Sequence, residues 1–255
     1  MLHLLKRHPI AVEARFEFTL VLTYAIPAEV LKPLLFPGLV LDTFEEYGFV
    51  AIAMVETKNL RPKGFPHLLG QDFFLTGYRI FVRFKTAEGK TLRGLLILRS
   101  DTDKPLMSVA GNLFTHYKYE LASVKRKRTE DNLSIKVFTP SGRGNLEVDA
   151  IIGDGITDAA LPETSPFHSL KEARQFEGPM PFTFDFEKET NSIVKVEGVR
   201  QEWHPRNIDV NVRTVEFFRH PPFKGVQPRL ASAFFIENIP YSWKEGSLEK
   251  LEDQS

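Results

Sequence analysis

A lysine between two tyrosines, with a histidine just before them, is the most chemically suggestive arrangement in this chain. It is His116-Tyr117-Lys118-Tyr119, inside the run MSVAGNLFTHYKYELASV from Met107 to Val124. An amine kept from water gives up its proton more readily and can attack a carbonyl as a Schiff-base nucleophile. The plainer role for Lys118 is an exposed strand lysine paired with Glu120 or another carboxylate. His116 offers a general base near neutral pH, or a side chain answering the dipole at a helix end. A second group, Arg79, Phe81 and Arg83, occupies alternate positions and so shares one strand face. A buried guanidinium there would clamp a carboxylate through two parallel N–H bonds; an exposed face is the alternative. His204, in Trp203-His204-Pro205-Arg206, suits either a pocket mouth or a packed turn.

These residues need a frame, and period-2 alternation dominates the chain. Tyr78, Ile80, Val82 and Phe84 fall on the face opposite Arg79, Phe81 and Arg83. Thr91 to Leu98 is a second apolar run, and Ala87-Glu88-Gly89 between them predicts a hairpin. Leu133 to Thr139 and Asn145 to Ile152 predict another, across Ser141-Gly142-Arg143-Gly144. Phe16 to Tyr24, Phe49 to Glu56, Ile193 to Val199 and Ile208 to Phe218 read as further strands. Helices are few. Pro27 to Leu35 has helical spacing, interrupted by Pro33. Lys104 to Phe114 predicts a helix running into the strand that carries Lys118. Pro166 to Phe176 is a third, with Ser165 as N-cap. Asp154 to Pro166 is the best candidate boundary or a long loop, and Gly153-Asp154-Gly155 is a turn signal. Ser247 to Ser255 predicts a frayed, charged tail. Many strands and few helices imply a sandwich or barrel, and 255 residues are read as one domain.

Composition narrows the partners. Lys+Arg and Asp+Glu number 33 each, so the net charge is zero. A nucleic-acid or anionic-membrane partner would favour a basic excess. The one basic run, Lys125 to Arg128, reads as a solvated strand end or hairpin turn. There is no cysteine, so disulfides and thiolate metal sites are excluded. The seven histidines show no ligand-like spacing, and neither a metal nor a cofactor is expected. No apolar run nears the roughly 20 residues that span a bilayer, and the first residues lack the apolar centre of a secretory leader. A cytoplasmic protein is the expectation. Twenty-two phenylalanines suggest an aromatic interior, with room for an apolar cavity.

A sequence of motifs carries a resemblance. LLFPGLVLDTF is followed by RPKGFPHLLG, then GYRIFVRF, GLLILRSD, SVAGNLFTHYKY and PMPFTFDFEKETNSIVKVEGVRQEWHP. Their order over roughly residues 15 to 240 resembles an uncharacterised, domain-of-unknown-function branch of the acetoacetate decarboxylase-like superfamily. That resemblance implies a mainly β fold: an antiparallel β-barrel with an interior pocket and a few short peripheral helices. The decarboxylases carry a motif like A-G-R-E-x-W-G-F-P-K-K-L, whose first lysine is the Schiff-base nucleophile. Laid over it without gaps, Ala110 and Gly111 match the first two residues and Leu121 the last. Asn112 and Leu113 replace the arginine and glutamate, and Lys118 falls on the proline. Tyr119 falls on the reactive lysine and Glu120 on its neighbour. The lysine pair is absent, and a one-residue offset on a strand reverses the face. Tyr119 is therefore expected to face the pocket and Lys118 to face away. The family's acidic pocket residue has its loose match near Leu75. The related branch tends to have an arginine near Arg79, which makes Arg79 the better clamp.

The first expectation is a small-molecule-binding protein. Arg79, Tyr119, Tyr117 and Phe81 would hold a small carboxylate or carbonyl compound in an apolar cavity. A lyase or hydrolase acting on a small oxo acid through Lys118 or His116 is the second. A structural or assembly role is the third, and related folds form oligomers, which leaves self-association open.

Overall fold

The computed structural model describes residues 2–153, 159–178, 180–201 and 203–251. Its strands are β1 (Val12–Pro27), β2 (Leu39–Leu41), β3 (Thr43–Phe44), β4 (Tyr47–Pro62), β5 (Gln71–Lys85), β6 (Thr91–Thr102), β7 (Tyr119–Leu121) and β8 (Ser123–Arg128). They continue as β9 (Asn132–Phe138), β10 (Leu146–Ile151), β11 (Phe182–Glu187), β12 (Ser192–Arg200), β13 (Arg206–Asn207), β14 (Val210–Val215), β15 (Arg229–Trp243) and β16 (Ser247–Lys250). The α-helices are short: α1 (Leu2–Leu5), α2 (Ala28–Leu31), α3 (Pro105–Phe114) and α4 (Leu170–Glu177). The fold is mainly β, as the alternation predicts.

The large sheet runs β15-β1-β4-β5-β6-β11-β12, and β12 also pairs with β15, so the path closes into a ring. A second, four-stranded sheet, β14-β10-β9-β8, lies against its outside. Both faces of the large sheet are therefore covered, which is why β1 and β4 read as long apolar runs. Leu20, Leu22, Ile52, Tyr78, Ile80 and Val82 join Ile135, Val137 and Val148 of the second sheet in the outer core. Val21, Ala25, Phe49, Ala51, Ala53 and Phe81 point the other way, into the ring.

Several details depart from the sequence reading, each for a physical reason. The ring is not wholly antiparallel: β11 and β7 both lie parallel to β6. The chain crosses over through α3 before returning as β7, and a crossover delivers a parallel strand. Ser169, not Ser165, caps α4, accepting from the Glu172 N–H at 3.2 Å while the Glu172 carboxylate takes the His168 N–H at 2.7 Å. The residues before it stay out of the helix, and Phe167 stacks on Phe49 at 5.3 Å. The helix after Pro27 lasts only through Leu31 and tightens into a 3-10 turn around Pro33. The expected strand Ile208 to Phe218 stops at Val215, because Phe217 and Phe218 turn inward onto Tyr78 and Tyr24. Residues 247–250 are not frayed; they pair with β12. Residues 252–255, and 154–158 of the expected boundary and turn, lie outside the described residues. The basic run forms β8, an edge strand whose Arg126 reaches Glu56 at 2.7 Å. No helix among the described residues is long and apolar enough to cross a membrane.

Candidate functional site

One transverse row of inward-facing residues organises the ring. Register pairs Ser232 with Thr23, Thr23 with Ala51, Ala51 with Arg79 and Arg79 with Ile97. The adjacent row holds Phe234, Val21, Ala53 and Gly77. Alanine and glycine at 51, 53 and 77 leave space in the middle, and the Arg79 side chain enters it. A β-carbon added at Gly77 would sit 2.9 Å from Arg79 Nε.

Arg79 is partly buried, its Nε is shut off from solvent without a hydrogen bond, and it has no carboxylate partner among the described residues. Its electrostatic neighbours are the phenols of Tyr241, Tyr119 and Tyr117 and the guanidinium of Arg200. Burial is the largest cause of a lowered Arg79 pKa, and Arg200 lowers it further. Arg79, Tyr117 and Tyr119 nevertheless keep some accessible surface.

Local structure explains how the two tyrosines are placed. Pro105 begins α3 at a position where a missing N–H costs nothing. At the far end the Thr115 hydroxyl donates to the Gly111 carbonyl at 2.7 Å and accepts from the Tyr117 N–H at 3.1 Å. The Asn112 side chain then clasps the Tyr119 backbone, donating to its carbonyl and accepting from its N–H, both at 2.8 Å. The Tyr119 ring lies so close over Gly111 that a β-carbon there would stand 2.3 Å from it. Lys118 between them takes a left-handed φ of 53° and is exposed. Burial pushes the Tyr119 phenol up to about 12 and raises Tyr117 well above its ordinary value, so both stay protonated donors.

The other expected residues separate. Phe81 is buried in an aromatic cluster, 6.0 Å from Phe49 and 6.2 Å from Phe176. Arg83 is half-exposed and donates to the buried Asp42 at 2.6 Å. His116 sits 3.1 Å from Asp185 through Nδ1. His204 is exposed. Among the described residues no lysine is buried, and no cluster of three His, Asp or Glu is placed to hold a metal ion. A shallow cleft of about 680 Å³ lies elsewhere, on the four-stranded sheet beside Lys127, Ser134, Asp149 and Arg213. None of the site candidates borders it.

Sequence reasoning missed four members of the cluster. Tyr241 and Arg200 arrive together as a cross-strand pair in the seam that closes the ring. Arg200 donates to the Tyr241 hydroxyl at 3.4 Å and lies 4.5 Å from the Trp203 ring. His8 comes from the N-terminal segment, which Arg7 ties down by donating to Glu187 at 2.8 and 2.6 Å. The His8 ring lies 5.0 Å from Tyr117, and burial lowers its pKa to about 4, so it is neutral near pH 7. Glu177, at the end of α4, accepts from Ser232 in the Arg79 row at 2.7 and 2.6 Å; burial raises it to about 7. No local motif marks these residues, because each owes its place to a long-range pairing or tie.

A model of the DUF2071 family, described as an uncharacterized conserved protein, matches residues 13–236. No curated protein matches the chain. Solved structures do. The acetoacetate decarboxylase of Legionella pneumophila aligns with a TM-score of 0.59 over 93% of this chain and 86% of its own, at 13% identity. The enduracididine biosynthesis enzyme MppR, complexed with pyruvate, also gives 0.59, over 97% and 92%, at 10% identity. An acetoacetate decarboxylase-like enzyme from Sphingomonas wittichii RW1 gives 0.56, over 97% and 94%, at 11% identity. At such identities the likeness establishes the fold, and the fold alone.

Proposed function

The chain belongs to the DUF2071 family, within the acetoacetate decarboxylase-like superfamily, and on that premise we propose that it binds a small carboxylate or carbonyl compound in the hollow around Arg79, without Schiff-base chemistry. The observation that carries this reading is the Arg79 guanidinium, its Nε buried without a hydrogen bond, with no protein counter-ion among the described residues. An isolated buried charge is costly unless something pairs with it, and a carboxylate matches the planar fork of arginine. The Tyr119 phenol, held protonated, donates a further hydrogen bond to the ligand's carbonyl or carboxylate oxygen. Phe81 belongs to the aromatic packing deeper in the ring and contributes to the apolar wall. Lys118 is exposed, which supports a reading without a lysine nucleophile. The protein works as one unit over residues 1–255, in the cytoplasm.

Titration calorimetry with pyruvate and acetoacetate tests this. The expected result is saturable binding that Arg79→Gln weakens about tenfold to a hundredfold, the worth of one charge-assisted hydrogen bond or more. Lys118→Ala should bind as the parent does. Equal binding by Arg79→Gln would remove the clamp. A borohydride-trapped adduct on Lys118 would restore the amine as nucleophile.

A second reading keeps one specific observation. Asp185 orients His116 beside Tyr117, an arrangement suited to a general base. The structural neighbour MppR is an enzyme complexed with pyruvate, so a lyase or hydrolase acting on a small oxo acid is the enzymatic alternative. Loss of turnover in His116→Gln, with ligand affinity retained, is its test.

A further inference from the structure

We propose that one end of the ring is a docking face for the surface of an anionic lipid bilayer, into which it dips exposed apolar side chains.

Three segments leave the same rim of the ring, because β1 begins there, β4 ends and β5 begins there, and β6 ends there in antiparallel register. They are residues 2–11 before β1, residues 63–70 between β4 and β5, and residues 104–118, which run through α3 towards β7. Backbone hydrogen bonds stitch them side by side. The Lys63 N–H donates to the Ala11 carbonyl at 2.9 Å, and the His8 N–H to the Phe114 carbonyl at 3.4 Å. Most of the large apolar side chains exposed among the described residues belong to these segments. The first carries Leu4, Leu5 and Ile10, and the second carries Phe65, Leu68 and Leu69. On α3, Leu106, Val109 and Leu113 recur at the spacing of one helix face and stand exposed, while Gly111 on the opposite side is buried under Tyr119. Together these side chains expose roughly 800 Å², against the few hundred usual for a patch on a monomeric protein. Leu68 is 93% exposed, on the short 3-10 turn His67–Leu69. A leucine that projects so far needs no matching hole to enter a fluid hydrocarbon boundary.

Charge selects the partner. The three segments contain no Asp or Glu. They hold Lys6, Lys63, Lys104 and Lys118, none of which forms an ion pair among the described residues. Arg7 is taken up by Glu187 at 2.6 Å. Asp103, just before the third segment, turns to the Phe74 N–H at 2.8 Å and to Arg126 at 3.5 Å. Further round the rim the signs alternate, Lys188 with Glu189 and Lys244 with Glu245, so the basic excess is local and the zero net charge hides it. A second copy packed about a two-fold axis would set this patch against itself, lysine towards lysine with no carboxylate to answer. An anionic leaflet answers the lysines and accepts the leucines, because apolar burial and basic charge are the two sources of interfacial binding.

Flotation with vesicles of phosphatidylcholine alone and of equal parts phosphatidylcholine and phosphatidylserine tests this. The expected result is binding to the mixed vesicles, little to the neutral ones, and release by salt. Lys63→Gln, Lys104→Gln and Lys118→Gln together should weaken binding about a hundredfold, or about fivefold for each cation. Leu68→Ser should weaken it about tenfold and leave the melting temperature unchanged, since so exposed a side chain has little packing to lose. The chain has no cysteine, so Leu68→Cys and Ile151→Cys each accept a single polarity-sensitive dye. The dye at 68 should shift to the blue on mixed vesicles. The dye at 151, on the cleft of the four-stranded sheet, should not. No binding to mixed vesicles would overturn the proposal, as would equal binding to neutral ones or binding that none of these substitutions alters. A dimer in light scattering that Leu68→Ser disperses, with no vesicle binding, would assign the face to a second copy instead.

Discussion

At the scale of single residues, two buried groups near the Arg79 row make opposite statements about acidity. His8 is held at about 4 against an ordinary 6.5, because burial penalises the imidazolium. Between those values the unfolded chain binds the proton and the folded one does not, so stability falls as pH drops from 6.5 towards 4. Glu177 is raised to about 7 from an ordinary 4.5 by the same desolvation. There the folded chain keeps a proton that the unfolded chain has released, so stability falls as pH rises from 4.5 to 7. In the parent the two slopes oppose each other across the overlap; single variants should uncover them. Glu177→Gln should gain on the parent through that rise, by at most about 3 kcal/mol. His8→Asn, a residue tolerant of the left-handed φ of 53° found there, should lose less stability than the parent on acidification to pH 4. Melting temperatures across pH 4 to 8 measure both, and curves parallel to the parent's would remove these assignments.

At the scale of elements, α3 and β7 act as one presenting device. The motif order placed this helix-to-strand unit, but the strand begins only at Tyr119, and Lys118 before it takes a left-handed φ of 53° in place of the extended alternation expected from the sequence. What holds the unit is less visible: Asn112 reaches seven residues ahead to clasp Tyr119, and Gly111 admits its ring. Asn112→Ala leaves two backbone groups of Tyr119 to find other partners and should cost about 1–3 kcal/mol in a denaturant melt. Gly111→Ala drives a methyl group into the Tyr119 ring and should cost about 1–3 kcal/mol as overpacking. It should also weaken ligand binding, since the phenol must shift. A Gly111→Ala protein with unchanged affinity would show that Tyr119 is not part of the wall.

At the scale of the whole molecule, the ring depends on the end of the chain returning to its beginning. β15 pairs with β1 from Val12–Trp243 to Ala25–Arg229 and with β12 from Gly198–Trp243 to Arg200–Tyr241. Contacts so distant in sequence must overcome loop-closure entropy before any of them helps, which slows folding. A chain ending at residue 228 would lack β15 and β16, leaving β1 and β12 as open apolar edges. It should aggregate or bind a hydrophobic dye strongly, and a soluble, cooperatively melting product would contradict the central place of this seam.

Most of the strands, the hairpins 78–98 and 133–152 and the sharing of a face by Arg79 and Phe81 were determined by the sequence itself, because pleat alternation and turn chemistry act over a few residues. Only the tertiary structure decided which face of the large sheet meets Tyr117 and Tyr119, since both sides of the sheet are covered and both are apolar. It also decided that Arg83 serves Asp42 while Arg79 has no carboxylate partner among the described residues. Arg200, Tyr241 and His8 join Arg79 because distant strands and a tied N-terminal segment converge there, and no pattern along the chain records that convergence.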